Sequence, residues 1–181
     1  MYAKSPQGLH VNLYAGSTVN VGEIAGAALQ VVQETDYPWN GKVALRLNPA
    51  RPTRFTLYLR APRRQTSELY TPAPAVGGLV SLTVNGQSVA IQIEHGYARL
   101  DREWKAGDRV DFELPLAVQR IEPSDKIAAT RGRVALRYGP LIYNLESVDQ
   151  NLDAVLDPTA PLTTEWRPEL LGGVCVIRGQ F

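Results

Sequence analysis

Cysteine is nearly absent from this chain: Cys175 stands alone among 181 residues. One cysteine excludes an internal disulfide and any thiolate metal cage built within a single chain. No apolar run approaches the ~18–20 residues that span a bilayer. The start, Met1 to Pro6, lacks the long apolar core of a secretory signal. These absences predict a soluble chain and leave its compartment open. Charge of one sign is lacking too, with 19 Lys and Arg against 18 Asp and Glu for a net charge of +1. Without a basic surplus there is no electrostatic case for nucleic acid or an anionic membrane as partner. The only histidines, His10 and His95, have no second histidine or cysteine at metal-ligand spacing. No Gly-rich loop with a following lysine and no Gly-x-Ser-x-Gly elbow occurs.

What the chain does have is alternation. Val43, Leu45 and Leu47 share one face, as do Phe55, Leu57 and Leu59. From Arg109 to Leu114 every second residue is apolar and the others are charged. Period two predicts half-buried strands with one wet face, as antiparallel sheets commonly have. A one-residue slip of the Arg109 strand would bury three charges, so its register is strongly specified. Asn40-Gly41 and Asn85-Gly86 predict type I′ hairpin turns, and Ala106-Gly107-Asp108 a third turn. Thirteen prolines and fifteen glycines disfavour long helices. The best helical stretch is short, Asn151 to Leu156. Ala61 to Gly78, with three prolines, paired glycines and the basic pair Arg63-Arg64, reads as a long solvated excursion between strands.

Together these features predict an all-β fold, a jelly-roll-like antiparallel β-sandwich. A break in the pattern around Glu122-Pro123-Ser124-Asp125 divides it. Residues 1–122 form the sandwich, and 123–181 supply strands of a second, incomplete one. Cys175, flanked by Val174, Val176 and Ile177, is expected to be a small buried residue of a strand.

Candidate chemistry is sparse. Glu34 and Asp36 lie two apart, about 7 Å on a strand, a spacing that suits a pair of glycosidase carboxylates. Asp101 with Glu103, and Asp111 with Glu113, repeat it, so a solvated face or turn accounts for it better. Tyr37 and Trp39 flank Pro38 at a turn, and Trp104 lies between Glu103 and Lys105. These three aromatics are the candidates for carbohydrate contact, because flat rings stack on sugars. Packing is the weightier reading of each, since aromatics usually bury their large area internally.

Several strings resemble a known family. They are Gly8-Leu9-His10-Val11-Asn12-Leu13-Tyr14, Gln33 to Gly41, Gly96 to Leu100, Trp104 to Asp108, and Leu170-Leu171-Gly172-Gly173. The most specific is Arg131-Gly132-Arg133-Val134-Ala135-Leu136-Arg137-Tyr138-Gly139-Pro140-Leu141-Ile142-Tyr143. In this order they resemble the β-L-arabinofuranosidase-like glycoside hydrolases, family 127, over nearly the whole chain. The resemblance implies the β-sandwich region that follows a catalytic (α/α)6 barrel. It places zinc, its cysteine and glutamate ligands, a cysteine nucleophile and a glutamate acid/base in that barrel. No catalytic or metal-binding residue carries over, because nothing here matches them and Cys175 stands in a different context. The expected role is therefore accessory: buttressing the barrel or completing an oligomer interface with copies of the chain. A carbohydrate-binding module for arabinose-containing glycans is the alternative. Three departures stand out. Ala61 to Gly78 is longer than the turn expected there, Asn144 replaces a frequent cysteine, and relatives continue into further strands beyond Gly179, which leaves an exposed edge.

Overall fold

The computed structural model describes residues 1–6, 8–62, 67–148, 151 and 153–180. Arg63 and Arg64 lie outside them. In chain order the strands are β1 Tyr2–Ser5, β2 Gly8–Val11, β3 Ser17–Ile24, β4 Ala27–Thr35, β5 Lys42–Pro49 and β6 Thr53–Arg60. Then come β7 Tyr70–Ala73, β8 Ser81–Val84, β9 Gln87–Ser88, β10 Ile93–Glu94, β11 Tyr97–Trp104 and β12 Asp108–Glu113. The last five are β13 Val118–Pro123, β14 Ala135–Tyr138, β15 Leu141–Tyr143, β16 Thr163–Arg167 and β17 Val174–Arg178. A single 3-10 turn, Ala128–Thr130, is the only helical element among the described residues. The all-β expectation holds. The helix expected over 151–156 does not form in the described residues there. Asn151 instead closes a turn, accepting the Asp153 amide on its side chain at 3.0 Å, as Asn commonly does in preference to a helix.

The chain divides into two compact units. Unit 1 comprises Met1–Arg64 and Gly77–Pro115. It holds two sheets, one ordered β1-β2-β6-β11-β10 and one ordered β3-β4-β5-β12-β8-β9. All pairings are antiparallel except β2 with β6. The inner faces of the two sheets share one apolar cluster, with Leu9, Val11, Leu57 and Leu59 from the first and Val31, Leu45, Leu47 and Val110 from the second, all fully buried. Alternation therefore does what it predicts, and unit 1 is a sandwich closed around its own core.

The turns separate two kinds of Asn-Gly. Asn85 and Gly86 both have positive φ, 51° and 78°, and join β8 to β9 as the expected type I′ turn. Asn40 and Gly41 are not among the positive-φ residues. They end a longer connection, 36–41, in which Asn40 Oδ1 accepts the Lys42 amide at 2.9 Å. Gly41 is needed for closeness instead: a Cβ there would lie 2.0 Å from the Leu114 carbonyl oxygen.

Unit 2 comprises Gln65–Val76 and Leu116–Phe181. Its sheets are β15-β14-β13-β7 and the hairpin β16-β17. The stretch from Ala61 to Gly78 is thus more than an excursion, because it contains β7, paired antiparallel with β13 from Arg120↔Ala73 to Pro123↔Tyr70. Strand β13 also pairs with β14, so β13 belongs to this unit, whose second segment starts at Leu116, ahead of the expected division after residue 122. The alternation before residue 122 is a strand signal and carries no label for which sheet the strand joins.

Among the described residues, Ala160 and Cys175 are the only buried hydrophobic residues of unit 2. Polar latches hold it. Gln119, fully buried, donates to the Pro74 carbonyl at 2.6 Å and accepts from Arg137 Nε at 2.9 Å. Arg120 donates to the carbonyls of Asp157 and Ala160 at 2.9 and 2.8 Å. Meanwhile Leu69, Tyr70, Ile142, Leu145, Trp166 and Leu171 are exposed.

Candidate functional site

A concavity of unit 1 lies on the outer face of its six-stranded sheet, a depression of about 550 Å³. Register builds it. Ala44, near the middle of β5, stands opposite Glu34 of β4 on one side and Asp111 of β12 on the other, and Asp111 stands opposite Thr83 of β8. Small residues at the centre of a row leave a hollow that longer side chains wall. Arg109, two residues before Asp111 and so on the same face, closes one wall.

Arg109 is fixed by charge. Its Nε donates to both Asp111 carboxylate oxygens at 2.9 and 3.0 Å, and its Nη2 lies 2.8 Å from Oδ1. Its Nη1 reaches Glu34 Oε2 at 3.5 Å. The hydrogen bonds to Asp111 push the guanidinium pKa further up. The rim is supplied by the connection after β4. Thr35 Oγ1 donates to the Lys42 carbonyl at 2.7 Å and accepts the Tyr37 amide at 3.0 Å, and Asn40 Nδ2 donates to Asp36 Oδ2 at 3.3 Å. Glu34 and Asp36, singled out as a carboxylate pair, therefore both line the depression. Glu34 faces Arg109, while Asp36 stabilises a turn.

The three aromatic candidates separate. Trp104 has no exposed area, donates from Nε1 to the Phe55 carbonyl at 3.0 Å, and sits 6.0 Å from the Phe55 ring. A ring with both faces covered offers nothing to a sugar, so Trp104 is a core residue. Tyr37 is half-buried and packs on the core, edge-on to Tyr14 at 6.1 Å. Trp39 is half-buried in the same turn. Burial raises the pKa of Tyr14, whose hydroxyl donates to the Arg60 carbonyl at 2.6 Å.

A second aromatic group was not evident from sequence. On the outer face of the five-stranded sheet His10 stacks on Tyr58 at 4.2 Å and meets Tyr97 edge-on at 5.3 Å. The signal available was alternation, which puts His10 outward. That Tyr58 and Tyr97 lie on neighbouring strands follows only from the pairing of β2, β6 and β11.

Among the described residues no group of three or more His, Cys, Asp or Glu is placed to hold a metal ion. A zinc centre built on cysteine thiolates does not fit the donors of this chain. Cys175 is buried in β17 opposite Trp166, and burial raises its thiol pKa. Since the thiolate is the reactive form, Cys175 is expected to alkylate more slowly than free cysteine at pH 8. Iodoacetamide labelling followed by mass should show this, with the gap narrowing as pH rises. Labelling as fast as free cysteine would mean an exposed, activated thiol. No helix of the described residues is long and apolar enough to cross a membrane.

Comparisons with known proteins agree with one another. Residues 8–116 match the family model described as β-L-arabinofuranosidase, GH127 middle domain, and residues 118–170 match the glycoside hydrolase family 127 C-terminal domain. A non-reducing end β-L-arabinofuranosidase of Bifidobacterium longum subsp. longum is 30% identical over 168 residues, which cover 86% of this chain and 23% of that protein. The crystal structure of a GH127 β-L-arabinofuranosidase from Geobacillus stearothermophilus T6 is similar with a TM-score of 0.81 at 37% identity, over 98% of this chain and 27% of that one. A second GH127 β-arabinofuranosidase structure gives a TM-score of 0.86 at 29% identity, over 97% and 29%. The chain thus spans about a quarter of the length of the relatives it matches.

Proposed function

Because this chain belongs to glycoside hydrolase family 127, we propose that it serves as the non-catalytic β-sandwich region of a β-L-arabinofuranosidase-like enzyme, supporting a catalytic barrel or an oligomer interface. The observation that carries this reading is the tiling of the chain by the family's middle and C-terminal domains, 8–116 and 118–170. Burial supports it as well. A unit with few buried apolar residues and many exposed ones is a surface awaiting cover, and its partner is the barrel or a further copy of the chain. Trp104, the largest fully buried side chain, serves packing. Zinc belongs to the barrel under this proposal, since the donors here do not suit it. The test is hydrolysis. On a panel of aryl α- and β-L-arabinofuranosides, with zinc and reductant supplied, the purified chain is expected to give no turnover above buffer.

A further inference from the structure

We propose that the depression floored by Ala44 on the outer face of the six-stranded sheet is a sugar subsite, which takes one neutral ring by two adjacent hydroxyls through Asp111, Arg109 and Glu34. The choice of a sugar rests on the accessory-domain reading above, whereas the site itself rests on geometry. Its volume, about 550 Å³, falls within the roughly 300–1,000 Å³ of small-molecule sites. Its lining is mostly polar, and its apolar members, Val43, Ala44 and Phe112, are buried and leave no exposed apolar side chain to receive a peptide's hydrophobic anchor.

The chemistry is that of alternating acceptors and donors. Asp111 binds Arg109 at 2.8–3.0 Å and so fixes the guanidinium plane. Arg109 to Glu34, at 3.5 Å, is longer than the ~2.7–2.9 Å of a well-made charge-assisted bond. Glu34 therefore keeps acceptor capacity, and Nη1 keeps donor capacity. A carboxylate–guanidinium–carboxylate row complements a vicinal diol, in which each hydroxyl donates to a carboxylate and accepts from the guanidinium. Arg109 and Lys42 offset two of the four carboxylates in the lining, and among the described residues no set of acids is placed for a metal ion, so a metal cation is the poorer occupant. A negatively charged ligand would meet Glu34, Asp36, Asp111 and Glu113, which selects a neutral sugar.

The experiment is a titration of the ¹⁵N-labelled chain with methyl β-L-arabinofuranoside and, separately, L-arabinose, followed by amide shifts. Affinity in the roughly millimolar range is expected for one weakly buried ring. The shifts should centre on Thr35, Ala44, Thr83 and Asp111. Ala44→Leu, which fills the hollow from an outward-facing position, should abolish them. Glu34→Gln, at an exposed side chain, should weaken binding by about tenfold and serves as the second variant if Ala44→Leu unfolds. Absence of shifts at ~50 mM sugar, shifts centred on Tyr58 and Tyr97 instead, or shifts unchanged in Glu34→Gln would overturn the proposal. Free arabinose released from the methyl glycoside would be seen in one-dimensional proton spectra of the same samples. That result would contradict the accessory reading while leaving the binding result to stand by itself.

Discussion

Trp104→Ala is expected to cost unit 1 about 3–5 kcal/mol, the range for removing a large buried aromatic. That is a large part of the ~5–15 kcal/mol that holds a typical domain together. The side chain is fully buried at the end of β11, and the core it fills is drawn from both sheets. The loss has two parts. One is the cavity, and the other is the Phe55 carbonyl, which accepts the indole N–H at 3.0 Å. Trp104→Phe separates them: it keeps most of the volume, loses the donor, and should cost about 1–3 kcal/mol. Thermal unfolding of the two variants checks this order. A Trp104→Ala variant as stable as the parent would mean that the ring is not part of the core.

Unit 2 is expected to lose structure well before unit 1 in urea. The hydrophobic term dominates folding and scales with apolar area removed from water. Among its described residues unit 2 has Ala160 and Cys175 as buried hydrophobic residues, against the shared cluster of unit 1. Hydrogen bonds such as Gln119 to Pro74 and Tyr143 to the Cys175 carbonyl fix geometry. Each adds only about 1 kcal/mol net. Hydrogen exchange should therefore be fast over Val118–Tyr143 and Thr163–Arg178 and slow over Leu29–Leu47 and Phe55–Leu59. A hydrophobic dye should bind the native chain. One cooperative transition with equal protection in both units would show that unit 2 is self-sufficient and needs no cover.

The residues that make these expectations also show where sequence reading works. Arg109 to Leu114 alternates so strictly that strand, face and register all follow, and β12 appears as expected. Asn85-Gly86 names its own turn because both residues accept positive φ. Asn40-Gly41 carries the same letters for another reason, the approach of the Leu114 carbonyl, which is a contact between residues far apart in the chain. No local pattern encodes that. The same limit hid β7 inside a proline-rich stretch, since an edge strand tolerates Pro72 and needs only β13 beside it. In the site, Glu34 and Asp36 were visible as a pair, and the Asp111 strand as an exposed face. That Arg109 and Ala44 join them is a product of strand order β4-β5-β12. From sequence Trp104 suits packing and sugar contact alike, and only burial separates the two.

Hydrolysis by the wild-type chain and by Cys175→Ser, measured side by side on aryl α- and β-L-arabinofuranosides with zinc and reductant, tests the central claim most directly. The account expects both proteins to match the buffer blank, because the reading proposed above places catalysis in the barrel. Turnover by the wild type that vanishes in Cys175→Ser would contradict it, and would place a nucleophile in strand β17.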